Sequence, residues 1–408
     1  MSSTTSRRLP RWAELRPLLN PRLPRWDRLG ARIDRAATIT DLRELARGRT
    51  PRSVFDYVDG AAEAEISLAR AREAFRRVVF HPRVLRDVAS VDLSRDLLGR
   101  PSTLPLVLGP TGFTRLMHHQ GERAVARAAA RAGVPYTLST MGTTSIEDVA
   151  AAAPDGRNWF QLYLWRDRVA SKELVGRARD AGYDTLVLTV DTPVAGARLR
   201  DVRNGMTIPP TLGIRSLAGM SRHPRWWLNL LTTAPLEFAS LNHWNGTVAE
   251  LVGKMFDPSA AFEDLDWLRG AWDGSLVVKG IQHVQDARDV VESGADAVVV
   301  SNHGGRQLDR APTPLELLPE VVDAVGGRAE VYLDTGVLSG ADVVAAVGLG
   351  ATGVLLGRSY LYGLMAGGER GVDRVFEVFT AEMTRTLQLL GVPRLADVGP
   401  EHVTTRSR

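Results

Sequence analysis

From Leu104 onward the chain alternates short aliphatic runs with stretches whose apolar residues recur at helical spacing. The runs are Leu104–Leu108, Val134–Leu138, Trp159–Leu164, Thr185–Val190, Leu276–Val278, Ala297–Val300, Val331–Leu333 and Gly353–Leu356. Between them fall the amphipathic stretches 121–132, 145–153, 169–181, 284–293, 314–325, 340–348 and 371–390. A run that is apolar throughout predicts a strand buried on both faces, and strands joined by crossover helices must pair in parallel with right-handed connections. Eight such units in roughly 290 residues predict an α/β fold, a TIM (β/α)8 barrel, better than an open doubly wound sheet.

Three regions depart from this rhythm. Residues 204–272, after the fourth run, carry Pro209, Pro210, Trp226, Trp227, Leu228, Leu231, Phe238 and Trp244, and predict a long insertion of the kind that forms lids or binding segments. Residues 39–100 read as a helical prelude with Thr40 as its N-cap and Tyr57 among its apolar positions. Residues 1–38 read as an arm, because Pro10, Pro17, Pro21 and Pro24 interrupt any long helix. The barrel is expected to span 101–395, with 396–408 as a tail.

Composition narrows the chemistry. The chain of 408 residues has no Cys, which excludes disulfides, thiolate metal sites and cysteine nucleophiles, so redox chemistry would need a borrowed cofactor. No metal site and no nucleic-acid partner are expected. Arg7 and Arg8 are followed by Pro10 rather than by an apolar run, and no stretch suffices for a membrane span, so the expected location is cytoplasmic. The net charge is +4, yet residues 1–36 hold nine Arg against Glu14, Asp27 and Asp34, a local +6. The arm also holds Trp12 and Trp26, and Pro-Arg-Trp occurs at 10–12, 24–26 and 224–226. Cations beside tryptophans suit an anionic membrane surface, which makes peripheral contact with the inner face of the cell membrane one expectation and packing onto the barrel the other.

A TIM barrel places its chemistry where strands end, and here all eight ends are polar or glycine-rich. They supply Pro110-Thr111-Gly112, Ser139, Gln161 with Tyr163, Thr189 with Asp191, Lys279, Ser301 with His303 and Arg306, Asp334-Thr335-Gly336, and Gly357-Arg358. An enclosed polar ligand follows. The last two ends occupy the position where barrels bind phosphate, with glycines that admit backbone N–H groups and an arginine. Lys279 is one of three lysines among 51 basic residues, so a compact point charge is wanted there. The N1/O2 edge of a flavin would suit it, and so would a structural ion pair. His303 with Asp191 reads as a tuned base, and Arg198 with Arg306 as a carboxylate clamp.

Ser301 to Asp309, Thr189-Val190-Asp191-Thr192-Pro193 with Arg198, Phe160 to Tyr163, Phe55-Asp56-Tyr57 with Gly60-Ala61, and Val277 to Gly280 resemble the FMN-dependent 2-hydroxy-acid dehydrogenases and oxidases. The resemblance runs from about Ile39 to Gly391. Through Arg200 to Met206 and His223 to Trp227 it is nearest to actinobacterial respiratory L-lactate dehydrogenases. It implies FMN as cofactor, lactate as substrate, quinone or another respiratory acceptor, and a homo-oligomer, by resemblance a tetramer. It further implies His303 as base held by Asp191, with Arg198, Arg306 and Tyr57 on the substrate carboxylate and Tyr163 on its hydroxyl. Pro110, Thr111, Gly112, Ser139, Gln161, Thr189, Lys279 and Ser301 would line the flavin, with Asp334, Thr335, Gly336, Val337, Leu338, Gly357 and Arg358 around its ribityl and phosphate. Many relatives carry arginine where this chain has Leu338, so Leu338 could offer the phosphate only its N–H. Gly112 stands where several oxygen-using members have Ala, which favours a dehydrogenase over an oxidase that releases peroxide. A non-catalytic flavin- or phosphate-binding barrel is the alternative of another class.

Overall fold

The computed structural model describes residues 8–17, 26–206, 222–241 and 256–406. Eight parallel strands close into a barrel: β1 (Leu106–Leu108), β2 (Tyr136–Ser139), β3 (Asn158–Tyr163), β4 (Thr185–Thr189), β5 (Ser275–Ile281), β6 (Ala297–Val300), β7 (Glu330–Asp334) and β8 (Gly353–Leu356). Neighbours in sequence are neighbours in space, and β8 pairs with β1. The strand runs are apolar throughout because both faces are covered. Val107, Trp159, Val187, Val277, Val299, Tyr332 and Leu355 fill the barrel, with the Trp159 and Tyr332 rings edge to face at 6.1 Å, while alternate residues pack under the helices.

Side chains on a strand return to the same face every second residue. The inward positions next after that filled layer, towards the strand ends, are Gly109, Gln161, Thr189, Lys279, Ser301, Asp334 and Gly357, and Thr137 on β2 is followed likewise by Ser139. One apolar layer thus carries one polar layer, which positions the site.

Three boundaries differ from the sequence expectation. Thr38, not Thr40, caps the first prelude helix, α1 (Ile39–Arg49), in a reciprocal box with Asp41. The fourth crossover helix, Glu263–Ala271, lies inside the span assigned to the insertion. It buries only Leu265 and Leu268, too thin a stripe to show against the surrounding aromatics, and Arg168 holds its Asp264. After β8 the chain forms two helices, Arg358–Gly367 and Glu369–Leu390. Residues 359–366 of the first are all buried, so it has no polar face and no amphipathic period to read.

Neither terminus is wholly a free extension. Helix Arg28–Arg35 buries Ile33, and Asp27 and Asp34 both bind Arg370 on the last helix. Val403–Thr405, in the expected tail, pairs antiparallel with Val78–Phe80 inside the prelude.

Candidate active site

A cavity of about 410 Å3 opens at the C-terminal ends of the strands. Its wall includes Tyr57, Tyr163, Arg198, Lys279, His303 and Arg306, the strand-one turn Pro110, Thr111 and Gly112, the strand-seven turn Asp334 to Leu338, and Gly357 and Arg358. The other expected residues, Ser139, Gln161, Thr189, Asp191 and Ser301, are not on the wall but buried around it.

The base is built from three strand ends. His303 Nδ1 lies 2.9 Å from Asp191 Oδ1, which leaves Nε2 as the ring nitrogen available to a substrate. Asp191 is almost fully buried, and Gly280 has a reason beside it: at φ 113°, any Cβ there would stand 2.8 Å from the Asp191 side chain. His303 itself adopts a left-handed φ of 58°. The Ser301 hydroxyl accepts its N–H at 3.0 Å, and the Asn302 side chain accepts from Gly305 N. Gln307 then joins this turn to the strand-four loop, donating to the Asp191 and Val194 carbonyls and accepting from Gly196 N.

Arg198 and Arg306 both lie over the ring of Tyr57, at 5.6 and 5.1 Å. Arg306 also donates to the Tyr57 and Gly60 carbonyls, so α2 (Arg52–Asp59) and the barrel meet at this residue. Burial, together with the neighbouring Arg198 guanidinium, pushes Arg306 down to about 10, still charged at neutral pH. A buried guanidinium depressed by a second one at its side is a site that suits an anion. Tyr163 stands edge-on to Phe256, and burial first and Asp191 second keep its phenol protonated well above the ordinary range.

Lys279 makes the expected structural ion pair and also faces the cavity. Its Nζ lies 2.9 Å from Asp334 Oδ2 and donates to Ser301 Oγ at 3.0 Å, and the lysine still lines the cavity. Burial opposes the ammonium, but the Asp334 and Asp191 carboxylates outweigh it and hold its pKa above the usual value. Asp334, expected near the ribityl, is likewise held low against burial, chiefly by Lys279.

At the strand-seven turn Thr335 has φ 84°, strained for a β-branched residue, and its hydroxyl accepts from Gly304 N at 3.0 Å. The Leu338 N–H, expected to be free for phosphate, already donates to Asp342 Oδ2 at 2.8 Å. That expectation is corrected: Asp342 takes the amide as part of the first turn of helix Gly340–Gly348. Arg358 donates to the Val58 and Gly60 carbonyls. Gly112 has a packing reason, since an added Cβ would stand 2.9 Å from Met141 Cβ.

The lining fits a bound flavin mononucleotide on its own chemistry. Gln161 Nε2, Thr189 Oγ1 and Asp191 Oδ2 are buried without a hydrogen-bond partner among the described residues, a cost that a polar ligand beside them would remove. A flavin offers a row of acceptors and donors for such a floor, and the glycine turns with Arg358 suit its phosphate.

A sequence profile described as FMN-dependent dehydrogenase matches residues 46–405. The chain belongs to the FMN-dependent dehydrogenases. It is 56% identical over 403 residues, 99% of this chain and 97% of the relative, to a Mycobacterium tuberculosis protein named "Putative L-lactate dehydrogenase". It is 41% identical to the L-lactate dehydrogenase of Chromohalobacter salexigens, covering 90% of this chain and 95% of that one. Among solved structures, the monotopic membrane protein (S)-mandelate dehydrogenase superposes with a TM-score of 0.88 at 38% identity, over 91% of this chain and all of that one. This dehydrogenase is therefore an FMN-dependent oxidoreductase on a TIM barrel.

Several residues that shape its site had no role in the sequence reading. Asp309, the last residue of the Ser301–Asp309 motif, accepts from the Ile66 and Ser67 N–H groups and so caps α3 (Ile66–Arg76) from another element. Asp59 gathers Arg43, Arg200 and Tyr362, fixing the short helix Leu199–Arg203 that follows Arg198. Arg72, from α3, reaches the strand-seven turn. Apart from Arg43–Asp59, these contacts join residues more than 100 positions apart, so no local spacing announces them. The one available signal was carboxylates at otherwise apolar positions, as at Asp59.

Proposed function

We propose that this dehydrogenase oxidises L-lactate to pyruvate with reduction of FMN and passes the electrons to a quinone. The observation that carries the reading is the His303–Asp191 pair opening on the same cavity as Arg198 and Arg306, which both lie over the Tyr57 ring. The relatives named for L-lactate support the substrate. In the proposed assembly Pro110, Thr111, Gly112, Ser139, Gln161, Thr189, Lys279 and Ser301 hold the flavin. Asp334 to Val337, Gly357 and Arg358 surround its ribityl and phosphate. When bound, FMN supplies the acceptor for two electrons.

The chain's own residues do the rest. Arg198 and Arg306 bind the substrate carboxylate with help from Tyr57, and Tyr163 stands against the substrate hydroxyl. His303 Nε2 takes the proton, and Asp191 stabilises the imidazolium through Nδ1–H. The test is anaerobic: the visible flavin spectrum of the purified protein should bleach on adding L-lactate, and faster than with (S)-mandelate. A colourless protein that takes up no FMN overturns the reading. Arg198→Lys or Arg306→Lys keeps the charge and loses the planar two-point match, so either should weaken lactate saturation by about 10-fold or more while FMN stays bound. Unchanged saturation would remove that arginine from the clamp.

The same reading places the enzyme at a membrane surface, as a homo-oligomer up to the tetramer that the resemblance implies. No helix among the described residues is long and apolar enough to cross a membrane. Trp12 and Trp26 are exposed, as are Arg225, Leu228 and Leu231 on helix Pro224–Leu231. Trp226 belongs to the protein side instead, its indole N–H bonded to the Leu116 carbonyl. Salt-sensitive flotation with anionic liposomes, lost on deleting residues 1–36, is the expected result, and light scattering gives the subunit count. An intact protein that never floats would remove the membrane from the reading.

A further inference from the structure

We propose that Arg72 is a binding residue for the 5′-phosphate of FMN, supplying from the prelude the cation that position 338 lacks. This rests on the flavin reading above and names one residue within it.

Arg72 sits in the last two turns of α3, on the wall of the cavity beside Gly336, Val337 and Leu338. The helix is pressed against that turn: a Cβ on Gly336 would stand 3.2 Å from Ala71 and from the Phe75 ring. Arg72 Nη1 donates to the Gly336 carbonyl and, at 2.8 Å, to Asp342 Oδ2. Among the described residues its Nε and Nη2 make no hydrogen bond, so donors of a fixed planar fork are left over at the cavity wall.

A phosphate monoester carries between one and two negative charges near neutral pH, and one guanidinium does not neutralise it. Arg358 is the one cation that the strand-seven and strand-eight ends themselves contribute to the wall. The amide of residue 338 is spent on Asp342, and its side chain is leucine. Asp342 bears two loads at once: it accepts that amide and it fixes the Arg72 guanidinium from one edge. Asp309 at the other end of α3 sets the helix against the barrel through the strand-six turn. The cation is thus held by two barrel loops rather than by its own helix alone.

The experiment measures dissociation constants of FMN and of riboflavin, which lacks the phosphate, for the full-length protein by flavin fluorescence. Arg72→Gln removes the charge and leaves a shorter polar side chain on α3. It should weaken FMN by about 10- to 100-fold, the range for a lost charge-assisted hydrogen bond, and change riboflavin less than about 2-fold. Leu338→Arg added to Arg72→Gln should restore FMN affinity, because it returns a guanidinium to the same turn. Equal weakening of both flavins, or FMN affinity unchanged in Arg72→Gln, overturns the proposal. A wild-type protein that binds neither flavin overturns the flavin reading instead, so the two failures are distinct. Should Arg72→Gln fold poorly, Leu338→Arg in the wild-type background carries the test. A second guanidinium at this turn should then add little affinity, and a gain of about 10-fold or more would show the turn short of a cation and overturn the assignment.

Discussion

Replacing His303 with Gln is expected to leave FMN bound and to slow anaerobic flavin reduction by lactate by about 10²- to 10⁴-fold, the contribution of a positioned general base. Glutamine retains an acceptor and a donor of similar reach. The backbone contact to Ser301 Oγ is independent of the side chain, so the turn and the flavin floor should persist. What is lost is a group that can take the proton and become a cation beside a buried carboxylate. Asp191→Asn tests the other half of the pair. It leaves the imidazole ring in place and removes the charge that stabilises its protonated form, so it should slow reduction without weakening lactate binding as the arginine variants do. Stopped-flow bleaching at several lactate concentrations separates the two effects. Near-normal reduction in His303→Gln would move the base to another residue.

The barrel was legible because its strands are apolar on both faces, and the site because the pattern breaks once per strand. The first inward residue past the apolar layer is Gln161, Thr189, Lys279, Ser301 or Asp334, where a packed core would have kept an aliphatic. Turns are polar anyway, so the informative residues are those still within the strand phase, not those beyond it. Elements without internal contrast stayed hidden. Helix Arg358–Gly367 is buried on every side, and Glu263–Ala271 buries almost nothing. The rest of the prelude's role was hidden for a different reason. Asp59 and Arg72 meet residues of the barrel loops 140 or more positions away, and which loops they touch depends on the angle at which helices pack, not on any period in the chain. The glycines at 112 and 280 illustrate the converse: each was visible as a residue, but its steric reason, Met141 in one case and Asp191 in the other, exists only in three dimensions.

The second large effect concerns Lys279. Lys279→Met keeps the length of the side chain and deletes the charge, leaving Asp334 buried with the Ser301 hydroxyl as its remaining neutral partner. Breaking a buried pair on one side costs about 3 to 5 kcal/mol, because the surviving carboxylate is uncompensated. The wild-type pair has a defined pH window. Asp334 is depressed in the folded state, so its contribution is present above the ordinary carboxylate range and is lost on acidification. Lys279 is raised, so its contribution is complete below the ordinary lysine range and is lost only on strong alkalinisation. Lys279→Met should therefore lower the urea midpoint most at neutral pH and progressively less as Asp334 becomes protonated. Adding Asp334→Leu removes the stranded carboxylate and should recover most of that loss, since apolar replacement of a whole buried pair is often neutral. Flavin reduction should not recover with it. A cation on the cavity wall beside an electron-accepting ring stabilises the negative charge that arrives there, and leucine and methionine supply none. The single variant thus reports stability and chemistry together, and the double variant separates them. A double variant with both a restored midpoint and wild-type reduction would make Lys279 a structural residue alone.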